Sequence, residues 1–340
     1  MSDSNSISAP LARRRWLAQV AVGGAGFAVG VQPVTAAAQC VNQGEAEISP
    51  VNFEVPEGAC DTHVHVFPDS ARFPFWKERI YTPPLATSGQ LLDMQTSLGL
   101  DRVVIVQPSV YGTDNSPTLH GIRMLGLHRA RGVAVLAPDT TRAQIQALYQ
   151  SGIRGIRVNL EAGGVNDPAI AANKLNAAVK AIEGTGMHLQ IYAGLPLITA
   201  LQENFKRLPV PAVFDHFAGA RGDAGVRQPG FNAVIDLVRQ GAVYVKVSAP
   251  YRSSSQTPTY EEMKPFAQAL IQANPERVLW GTDWPHPGKP GLVAATEITT
   301  PYVVDNGRML NLFAQWVPDT SIRKKVLVDN PAKLFGFGQA

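Results

Sequence analysis

Cysteine, charge and long apolar runs are all scarce in this sequence. Cys40 and Cys60 are the only cysteines among 340 residues, so no disulfide framework stabilises the fold. Charged residues make up 17% of the chain and hydrophobic residues 45%, which excludes an intrinsically disordered protein. The formal net charge of +3 is too small to indicate a nucleic-acid-binding surface. The sequence therefore describes a globular protein with a large hydrophobic core and no nucleic-acid partner.

The N-terminal segment, residues 1–38, has the pattern of an export signal. Arg13 to Arg15 precede an apolar, glycine-rich run from Ala18 to Val31, and small residues end at Ala38. The paired arginines indicate the twin-arginine route, cleavage near Ala38 and a periplasmic location. The alternative is a membrane anchor, but the run is shorter than the ~20 residues that a spanning helix needs. No membrane span is expected in the mature chain, and Cys40 after the cleavage point leaves lipid attachment open.

The rest of the chain predicts a linker at 39–58 and one domain at 59–340. Short apolar runs typical of buried strands recur at 59–67, 102–109, 132–137, 153–160, 188–194, 212–217, 243–248 and 278–284. Helix-compatible stretches separate them at 90–98, 118–129, 142–151, 169–184, 198–207, 231–240 and 261–273, and 303–316 and 321–335 follow the last strand. Regular alternation of strand and helix indicates parallel strands covered by helices. Eight such units predict an α/β fold, a closed (β/α)8 TIM barrel.

An open doubly wound sheet is the alternative to a closed barrel. That fold usually places a glycine-rich phosphate-binding turn after its first strand. The first predicted strand instead ends in the residues Asp61 to His65, with the sequence DTHVH. The closed barrel is therefore the better prediction. Cys60 lies in the same strand and is expected to be a free, buried thiol.

Ionisable residues collect at the carboxyl ends of the predicted strands, where barrel enzymes have their active sites. His63 and His65 end the first strand, His216 ends the sixth, and Asp283 and His286 come at or just after the end of the eighth. Two residues apart on a strand, His63 and His65 project from the same face. Such groups can bind a metal ion, polarise a carbonyl or fill a polar layer of the barrel. Their convergence at one rim favours a functional site, because burying them is costly.

Candidate substrate-binding residues lie at the same rim. Arg157 is near the end of the fourth strand and Arg252 follows the seventh. Guanidinium groups suit recognition of a carboxylate or a sulfonate. Tyr81, Ser109 and Tyr192 offer hydroxyl groups from a loop and from the ends of the second and fifth strands. The rim is therefore predicted to bind a small anionic molecule.

Together these motifs resemble the amidohydrolase superfamily over residues 56–335. The segments that carry the resemblance are Asp61-Thr62-His63-Val64-His65, Gly155-Ile156-Arg157-Val158-Asn159, Asp215-His216 and Gly281-Thr282-Asp283-Trp284-Pro285-His286. They are most similar to the branch of 2-pyrone-4,6-dicarboxylate lactonases, which includes sulfomuconolactone hydrolases and sugar-acid lactone isomerases. The resemblance implies an amidohydrolase-type (β/α)8 barrel and a carboxylic-ester hydrolase that opens a lactone by adding water, in aromatic-compound degradation.

The resemblance also implies a role for each candidate residue. The strand-eight aspartate of the lactonase branch, which matches Asp283, takes a proton from water. The residues that match His63, His65 and His216 polarise the lactone carbonyl. The substrate-binding group is predicted to be Tyr81, Ser109, Arg157, Tyr192, Arg252 and His286. A carboxylate is a suitable general base, and imidazoles can stabilise the developing oxyanion.

Two positions depart from the pattern of the pyrone dicarboxylate enzymes. Those enzymes carry one further arginine after the strand-four motif and another after the Asp-His pair. This chain has Glu161 and its neighbours at the first position, and residues 218–220 at the second, with Arg221 as a substitute candidate. The loss of these arginines favours a lactone with a differently placed acid group. Examples are 4-sulfomuconolactone and a carboxymethyl butenolide.

The sequence favours metal-independent hydrolysis. Typical metal-dependent amidohydrolases add a strand-four Lys or Glu, or a strand-five His, to the HxH pair and the strand-eight Asp. Strand four offers Arg157 instead, whose positive charge opposes a nearby cation, and strand five offers Tyr192. A single Zn2+ held by His63, His65 and Asp283 is the alternative.

Two other functions remain open at this point. The first is isomerisation of a sugar-acid lactone of the galactarolactone type on the same scaffold. The second is a non-catalytic binding protein, but the complete set of polar groups at the rim argues against it. The expected partner in each case is a small anionic lactone or a related ligand.

Overall fold

The computed structural model describes residues 47–161 and 163–338. Its eight strands are β1 (Cys60–Val64), β2 (Arg102–Val106), β3 (Ala130–Ala134), β4 (Ile153–Asn159), β5 (His188–Tyr192), β6 (Ala212–Phe214), β7 (Val243–Ser248) and β8 (Val278–Gly281). Each strand pairs in parallel with the next one along the chain. The predicted export signal, Cys40 and the first part of the predicted linker lie outside the described residues.

Hydrogen bonds between β1 and β8 bring the two ends of the sheet together into a nearly closed barrel. The Thr62 hydroxyl donates to the carbonyl of Trp280 at 2.7 Å. Beyond the ends of both strands, the amide of His65 donates to the carbonyl of Trp284 at 2.7 Å. Gly281 allows this close approach, because a Cβ atom there would lie 2.9 Å from the backbone nitrogen of His63. The predicted (β/α)8 barrel is confirmed.

Twelve α-helices surround or follow the strands in the described part of the chain. They are α1 (Ser88–Leu98), α2 (Ser116–Leu125), α3 (Arg142–Gln150), α4 (Pro168–Ile182), α5 (Leu195–Ala200), α6 (Gln202–Lys206), α7 (Phe231–Arg239), α8 (Pro250–Ser253), α9 (Lys264–Ala273), α10 (Asn306–Trp316), α11 (Thr320–Lys324) and α12 (Asn330–Phe335). Thr87 and Thr141 begin α1 and α3 as capping boxes with a glutamine three residues later. None of these helices has the length and apolar character needed to cross a bilayer.

Several elements are shorter than the sequence predicts. Helix α2 ends at Leu125 instead of continuing to 129, because Gly126 has a φ of +82° and its amide bonds to the carbonyl of Ile122. Strand β6 ends at Phe214, because residues 216–218 all have positive φ and turn the chain out of the sheet. The predicted final helix, 321–335, is divided into α11 and α12 by a π-helical turn, Lys325–Asp329.

The amino ends of the strands are closed by apolar packing. Cys60 and Leu279 belong to a fully buried cluster there, together with Phe335 at the end of α12. The Phe335 ring lies edge-on to His188 at the start of β5, with centroids 5.1 Å apart. Cys60 is a free, buried cysteine, as predicted. Because apolar side chains fill this end, a ligand reaches the polar groups inside the barrel from the carboxyl ends of the strands.

The described end of the predicted linker packs against α10. The Ser49 amide donates to Asp305 at 2.9 Å, and the Asn52 amide donates to Asn311 at 2.9 Å. A Cβ atom on Gly307 would lie 1.8 Å from the carbonyl oxygen of Ser49, so only glycine permits this contact. The boundary between linker and barrel at 58/59 stays a prediction. The contacts with α10 hold the described residues of the predicted linker against the barrel domain.

Candidate active site

A cavity of about 480 Å³ opens at the carboxyl ends of the strands. Eight of the ten predicted site residues line it: His65, Tyr81, Ser109, Arg157, Tyr192, His216, Arg252 and Asp283. His63 lies below the wall and is completely buried. His286 is also buried and outside the lining, where its Nδ1 is 3.4 Å from the Tyr251 hydroxyl. The structure therefore brings the predicted residues together at one rim, with His63 and His286 behind it.

Backbone contacts between β1 and β8 fix the position of Asp283. Its amide donates to the carbonyl of His63 at 2.8 Å. The preceding residue, Thr282, donates to Asp61 through its amide at 3.0 Å and its hydroxyl at 2.5 Å. Asp283 has a φ of +65°, which is uncommon for a residue with a side chain and is found most often at functional sites. The turn directs the carboxylate across the barrel mouth.

The two oxygens of Asp283 have different surroundings. Oδ2 accepts hydrogen bonds from the Tyr251 hydroxyl at 2.6 Å and from Arg252 Nε at 2.7 Å. Oδ1 accepts no hydrogen bond from any described residue. Three imidazole Nε2 atoms surround Oδ1, from His65 at 3.3 Å, His63 at 3.6 Å and His216 at 3.9 Å. One oxygen is thus held in place while the other remains available for chemistry.

Asp283 is ionised despite its burial. Burial acts to raise the pKa of its carboxyl, but the charge of Arg252 and the contact with His65 outweigh it and hold that pKa well below the usual range. Burial lowers the pKa of His216 to about 4 and that of His63 well below its usual value. At neutral pH the site therefore combines a carboxylate anion with neutral His63 and His216 rings.

The neighbours of the Nδ1 atoms of His65 and His63 influence which ring nitrogen carries the proton. The Nδ1 of His65 is 2.8 Å from the carbonyl oxygen of Val106, so it must carry a proton to donate. A neutral His65 then presents a lone pair at Nε2. The Nδ1 of His63 is 3.3 Å from Lys246 Nζ, an ammonium group that can only donate. The same Nδ1 is 3.2 Å from the Asp215 carboxylate, which can only accept, so these two neighbours favour opposite tautomers of a neutral His63.

A second cluster of charges lies beside His63 and away from the cavity. Asp215 accepts from Arg157 Nε at 3.3 Å and Nη2 at 3.2 Å. Its other oxygen is 3.2 Å from His63 Nδ1 and 3.5 Å from Lys246 Nζ. Burial acts to raise the pKa of Asp215, but these cationic neighbours and the contact with His63 hold it well below the usual range. Burial lowers the pKa of Lys246 to about 8.

Three residues of the site were not predicted from the sequence: Tyr251, Lys246 and Asp215. Tyr251 precedes Arg252 in the short helix α8, which begins after Ala249 in the left-handed conformation. Lys246 occupies an otherwise apolar strand, and its Nζ donates to Gln190 at 2.8 Å inside the barrel. A lysine within an apolar strand was the available signal for the second cluster. The turn that directs Tyr251 towards Asp283 has no comparable signal.

Hydroxyl groups complete the cavity wall on the side of β1 and β2. Tyr81, in the loop after β1, is almost completely buried. Burial raises the pKa of Tyr81 to about 12, although a hydrogen bond with Ser109 acts in the opposite direction. Tyr81 is therefore protonated at neutral pH. Together with Ser109 it can hydrogen-bond to a ligand in the cavity.

His63, His65 and Asp283 are positioned so that they could bind a single Zn2+ ion. One ligand atom from each residue lies within 4.8 Å of the others, and Asp283 Oδ1 and His63 Nε2 have no hydrogen-bond partner among the described residues. His65 presents its lone pair as a ligand should. His63 does so when its proton is on Nδ1, from which it can donate to Asp215 at 3.2 Å. A zinc ion bound there would polarise a carbonyl and acidify a bound water.

Known proteins similar to this chain share its fold and much of its length. A 4-sulfomuconolactone hydrolase from Hydrogenophaga intermedia is 31% identical over 311 residues, which cover 90% of this chain and 97% of the relative. A 2-pyrone-4,6-dicarboxylate hydrolase from Comamonas testosteroni is 32% identical over 299 residues, 85% of this chain and 94% of the relative. The crystal structure of a probable 2-pyrone-4,6-dicarboxylic acid hydrolase from Acinetobacter baumannii, with bound citric acid, matches with a TM-score of 0.69. That protein is 26% identical, and the match covers 82% of this chain and all of the other.

The sequence model of the amidohydrolase family matches residues 60–337, nearly the whole described barrel. This range contains the HxH pair at the end of β1 and the aspartate after β8. The resemblance stated from the motifs is therefore confirmed. The chain belongs to the amidohydrolase family.

Proposed function

We propose that this chain hydrolyses a small anionic lactone by adding water to the ring ester. The observation that carries the proposal is Asp283 Oδ1, an ionised oxygen without a hydrogen-bond donor among the described residues, surrounded by three imidazole nitrogens. A carboxylate held in this way can accept a proton from water. The relatives named lactone hydrolases support the same reaction.

The groups at the site account for each step of the hydrolysis. Asp283 Oδ1 takes a proton from water, and the water oxygen bonds to the lactone carbonyl carbon. His216, whose ring lines the cavity, stabilises the negative charge that develops on the carbonyl oxygen when its Nε2 carries the proton. The ring C–O bond then breaks, and the proton taken by Asp283 passes to the leaving oxygen. The product carries one new hydroxyl group and one new carboxylic acid, which becomes a carboxylate by releasing its proton to solvent.

Tyr251 and Arg252 keep Asp283 in the orientation that this reaction needs. Both donate to Oδ2, so Oδ1 is directed at the cavity. Arg252 holds the pKa of Asp283 low, although burial opposes this effect. Asp283 is therefore a weak base, and its carboxyl is ionised across the neutral pH range. Arg157, Ser109, Tyr81 and Tyr192 line the same cavity and are proposed to bind the substrate. We infer a place in aromatic-compound degradation from the relatives' substrates.

A panel of lactones that carry acid groups tests the proposal. The panel should include sulfonated and carboxylated rings, with ring opening followed in 18O-labelled water. We expect one solvent oxygen in the ring-opened acid. Isomerisation of a sugar-acid lactone would give a product without that oxygen, and a binding protein would consume no lactone.

The predicted metal independence needs its own measurement. We expect purified protein to contain much less than one equivalent of zinc and to keep its turnover after treatment with a chelator. One equivalent of zinc, lost together with turnover and restored with it, would contradict metal independence. In the described chain, two groups of three residues have a geometry that could hold the ion: His63, His65 and Asp283, and His63, Asp215 and His216.

Export through the twin-arginine route is a further proposal. It is supported by the paired arginines and the short apolar run before Ala38. Fractionation of cells that express the full chain should place a shortened protein in the periplasm. Replacing Arg13 to Arg15 with lysine should retain the full-length chain in the cytoplasm, whereas unchanged export would contradict the proposal.

A further inference from the structure

The charges in the wall of the active-site cavity are unevenly distributed around its mouth. Three cationic and two anionic side chains line it among the described residues: Arg157, Arg252, Lys289, Glu161 and Asp283. Their formal sum is +1. Arg157 pairs with Asp215 and Arg252 pairs with Asp283, which leaves Lys289 and Glu161 without an ion pair among the described residues.

The β7–β8 side of the cavity, formed by Arg252 and residues 287–290, is cationic. Arg252 Nη2 donates to the carbonyl of Pro287 at 3.2 Å, which ties this loop to the end of β7. Arg252 also lines the cavity, where its guanidinium group can bind an acid group. Lys289 lines the cavity from the same loop, and its side chain has no ion pair or hydrogen bond with any described residue. This side can hold an anion with both residues.

The β4–β5 side, formed by Arg157, Asn159, Glu161 and Tyr192, has a different balance. Arg157 is already paired with Asp215 through two of its nitrogens. The amide of Glu161 donates to the carbonyl of Tyr192 at 3.2 Å, which fixes Glu161 at the rim. Within the described parts of the chain, the Glu161 carboxylate has no cationic partner. A second acid group on this side would lie close to an uncompensated negative charge.

The two sides face each other across the mouth. Neighbouring strands follow the chain order around the barrel, so β4 and β8 are four positions apart in a ring of eight. A ligand that spans the cavity therefore meets Lys289 and Arg252 at one end and Glu161 at the other. Asp283 belongs to the β8 end, but Arg252 pairs with its Oδ2.

We propose that the preferred substrate is a lactone with a single acid group, bound towards Arg252 and Lys289, with an uncharged end towards Glu161. This inference rests on the proposed lactone hydrolysis and narrows its substrate class. It separates this chain from a relative whose name specifies a dicarboxylate. Lys289 and Glu161 are then the residues that determine specificity.

Two matched probes test the inference. One is a five-membered unsaturated lactone with one carboxymethyl group, and the other is the same ring with a second carboxylate. The measured quantity is the ratio of kcat/KM for the first probe to that for the second. We expect the natural sequence to favour the single-acid probe by up to about fivefold, the upper end of the effect of one unfavourable charge contact near the surface.

Variants at the two ends should move this ratio in predictable ways. Glu161→Gln should lower the preference by up to about fivefold, and Glu161→Arg, which changes the charge by two, by up to about 25-fold. Lys289→Gln should raise KM for the single-acid probe about fivefold and leave kcat within about twofold. Lys180→Gln, on the exposed last turn of α4, is the matched control and should change neither value.

The outcomes distinguish failure of the inference from failure of the proposed function. A natural protein that prefers the two-acid probe, or a ratio that both Glu161 variants leave unchanged, overturns the inference while lactone hydrolysis stands. If neither probe is opened, the proposed function fails for them. Calorimetric binding of the two intact lactones then decides the inference. Tighter binding of the single-acid lactone, weakened by Lys289→Gln, supports it, and equal or tighter binding of the two-acid lactone overturns it.

Discussion

Asp283 and Asp215 are buried carboxylates on opposite sides of the same histidine ring. His63 Nε2 is 3.6 Å from Asp283, and His63 Nδ1 is 3.2 Å from Asp215. Each carboxylate also pairs with an arginine, Arg252 in one case and Arg157 in the other. In both, the charge of these neighbours opposes burial and lowers the pKa of the carboxyl. By burial and charge alone the two residues are nearly equivalent.

Their access to the cavity and the neighbours of their second oxygen differ. Asp283 lines the cavity, and imidazole nitrogens alone surround its Oδ1. The corresponding oxygen of Asp215 lies 3.5 Å from the Lys246 ammonium and beneath the wall. A low pKa therefore does not identify the base in this barrel. The distinguishing property is an ionised oxygen that is both accessible to substrate and not already paired with a cation.

The largest expected effect is on turnover, from Asp283→Asn. The amide cannot accept a proton from water, so kcat should fall about 10²- to 10⁴-fold, the usual contribution of a general base. The melting temperature should change little, because Arg252 is partly exposed and can rehydrate. Asp236→Asn, a surface aspartate paired with Arg239, is the control. Turnover within about tenfold of the natural protein would remove Asp283 as the base.

Asp215→Asn should act on stability first. The change leaves Arg157 and Lys246 without their carboxylate partner inside the barrel. Removing one member of a buried ion pair costs about 3–5 kcal/mol in the free energy of unfolding. Urea unfolding measures this loss, and the folded fraction should retain more turnover than Asp283→Asn does. A loss below about 1 kcal/mol, the range of exposed ion pairs, would contradict the structural role of Asp215.

The barrel and most of its rim could be predicted from the sequence, because both depend on local patterns. Alternating apolar runs give the strand order, and strand order decides which residues share the mouth. His65, Arg157 and Asp283 line the cavity for this reason. Contacts between residues far apart in the sequence could not be predicted. No local pattern pairs Arg157 with Asp215, because the two residues lie 58 positions apart in the sequence.

Turns with positive φ account for the remaining differences. His286 follows the last strand and was predicted to bind substrate, yet its φ of +62° accompanies a buried ring beside Tyr251. Of the seven non-glycine residues with positive φ in the described chain, six follow β6, β7 or β8: His216, Phe217, Ala218, Ala249, Asp283 and His286. Sequence patterns rarely predict such conformations for residues with side chains, because they are intrinsically unfavourable.

Tyr251→Phe tests whether the orientation of Asp283 matters for turnover. The change removes the 2.6 Å hydrogen bond to Oδ2 and leaves the Arg252 contact in place. A hydrogen bond to a charged group contributes about 1.5–3 kcal/mol, so kcat should fall roughly tenfold or more while KM changes little. Tyr302→Phe is a matched control, because the Tyr302 ring also lies in the wall and packs on Tyr251. Equal effects of the two changes would assign Tyr251 to general packing.

The smallest expected effect concerns His188, which lies two positions before Gln190 on β5 and so points to the same inner face. Burial lowers the pKa of His188 to about 3, against about 6.5 for an unfolded chain. The unfolded state therefore binds more protons between these values, so stability present above pH 6.5 is lost as the pH falls towards 3.

Comparison of the natural protein with His188→Gln isolates this contribution. Between pH 6 and pH 4 the free energy of unfolding of the natural protein should fall more steeply, by up to about 1.4 kcal/mol per pH unit. The exposed His128→Gln should leave the slope unchanged. Parallel slopes for all three proteins would show that the amino end of the barrel admits a proton to His188 at little cost. The amino end of the barrel would then not be closed to protons at His188, and it would differ less from the ionised mouth.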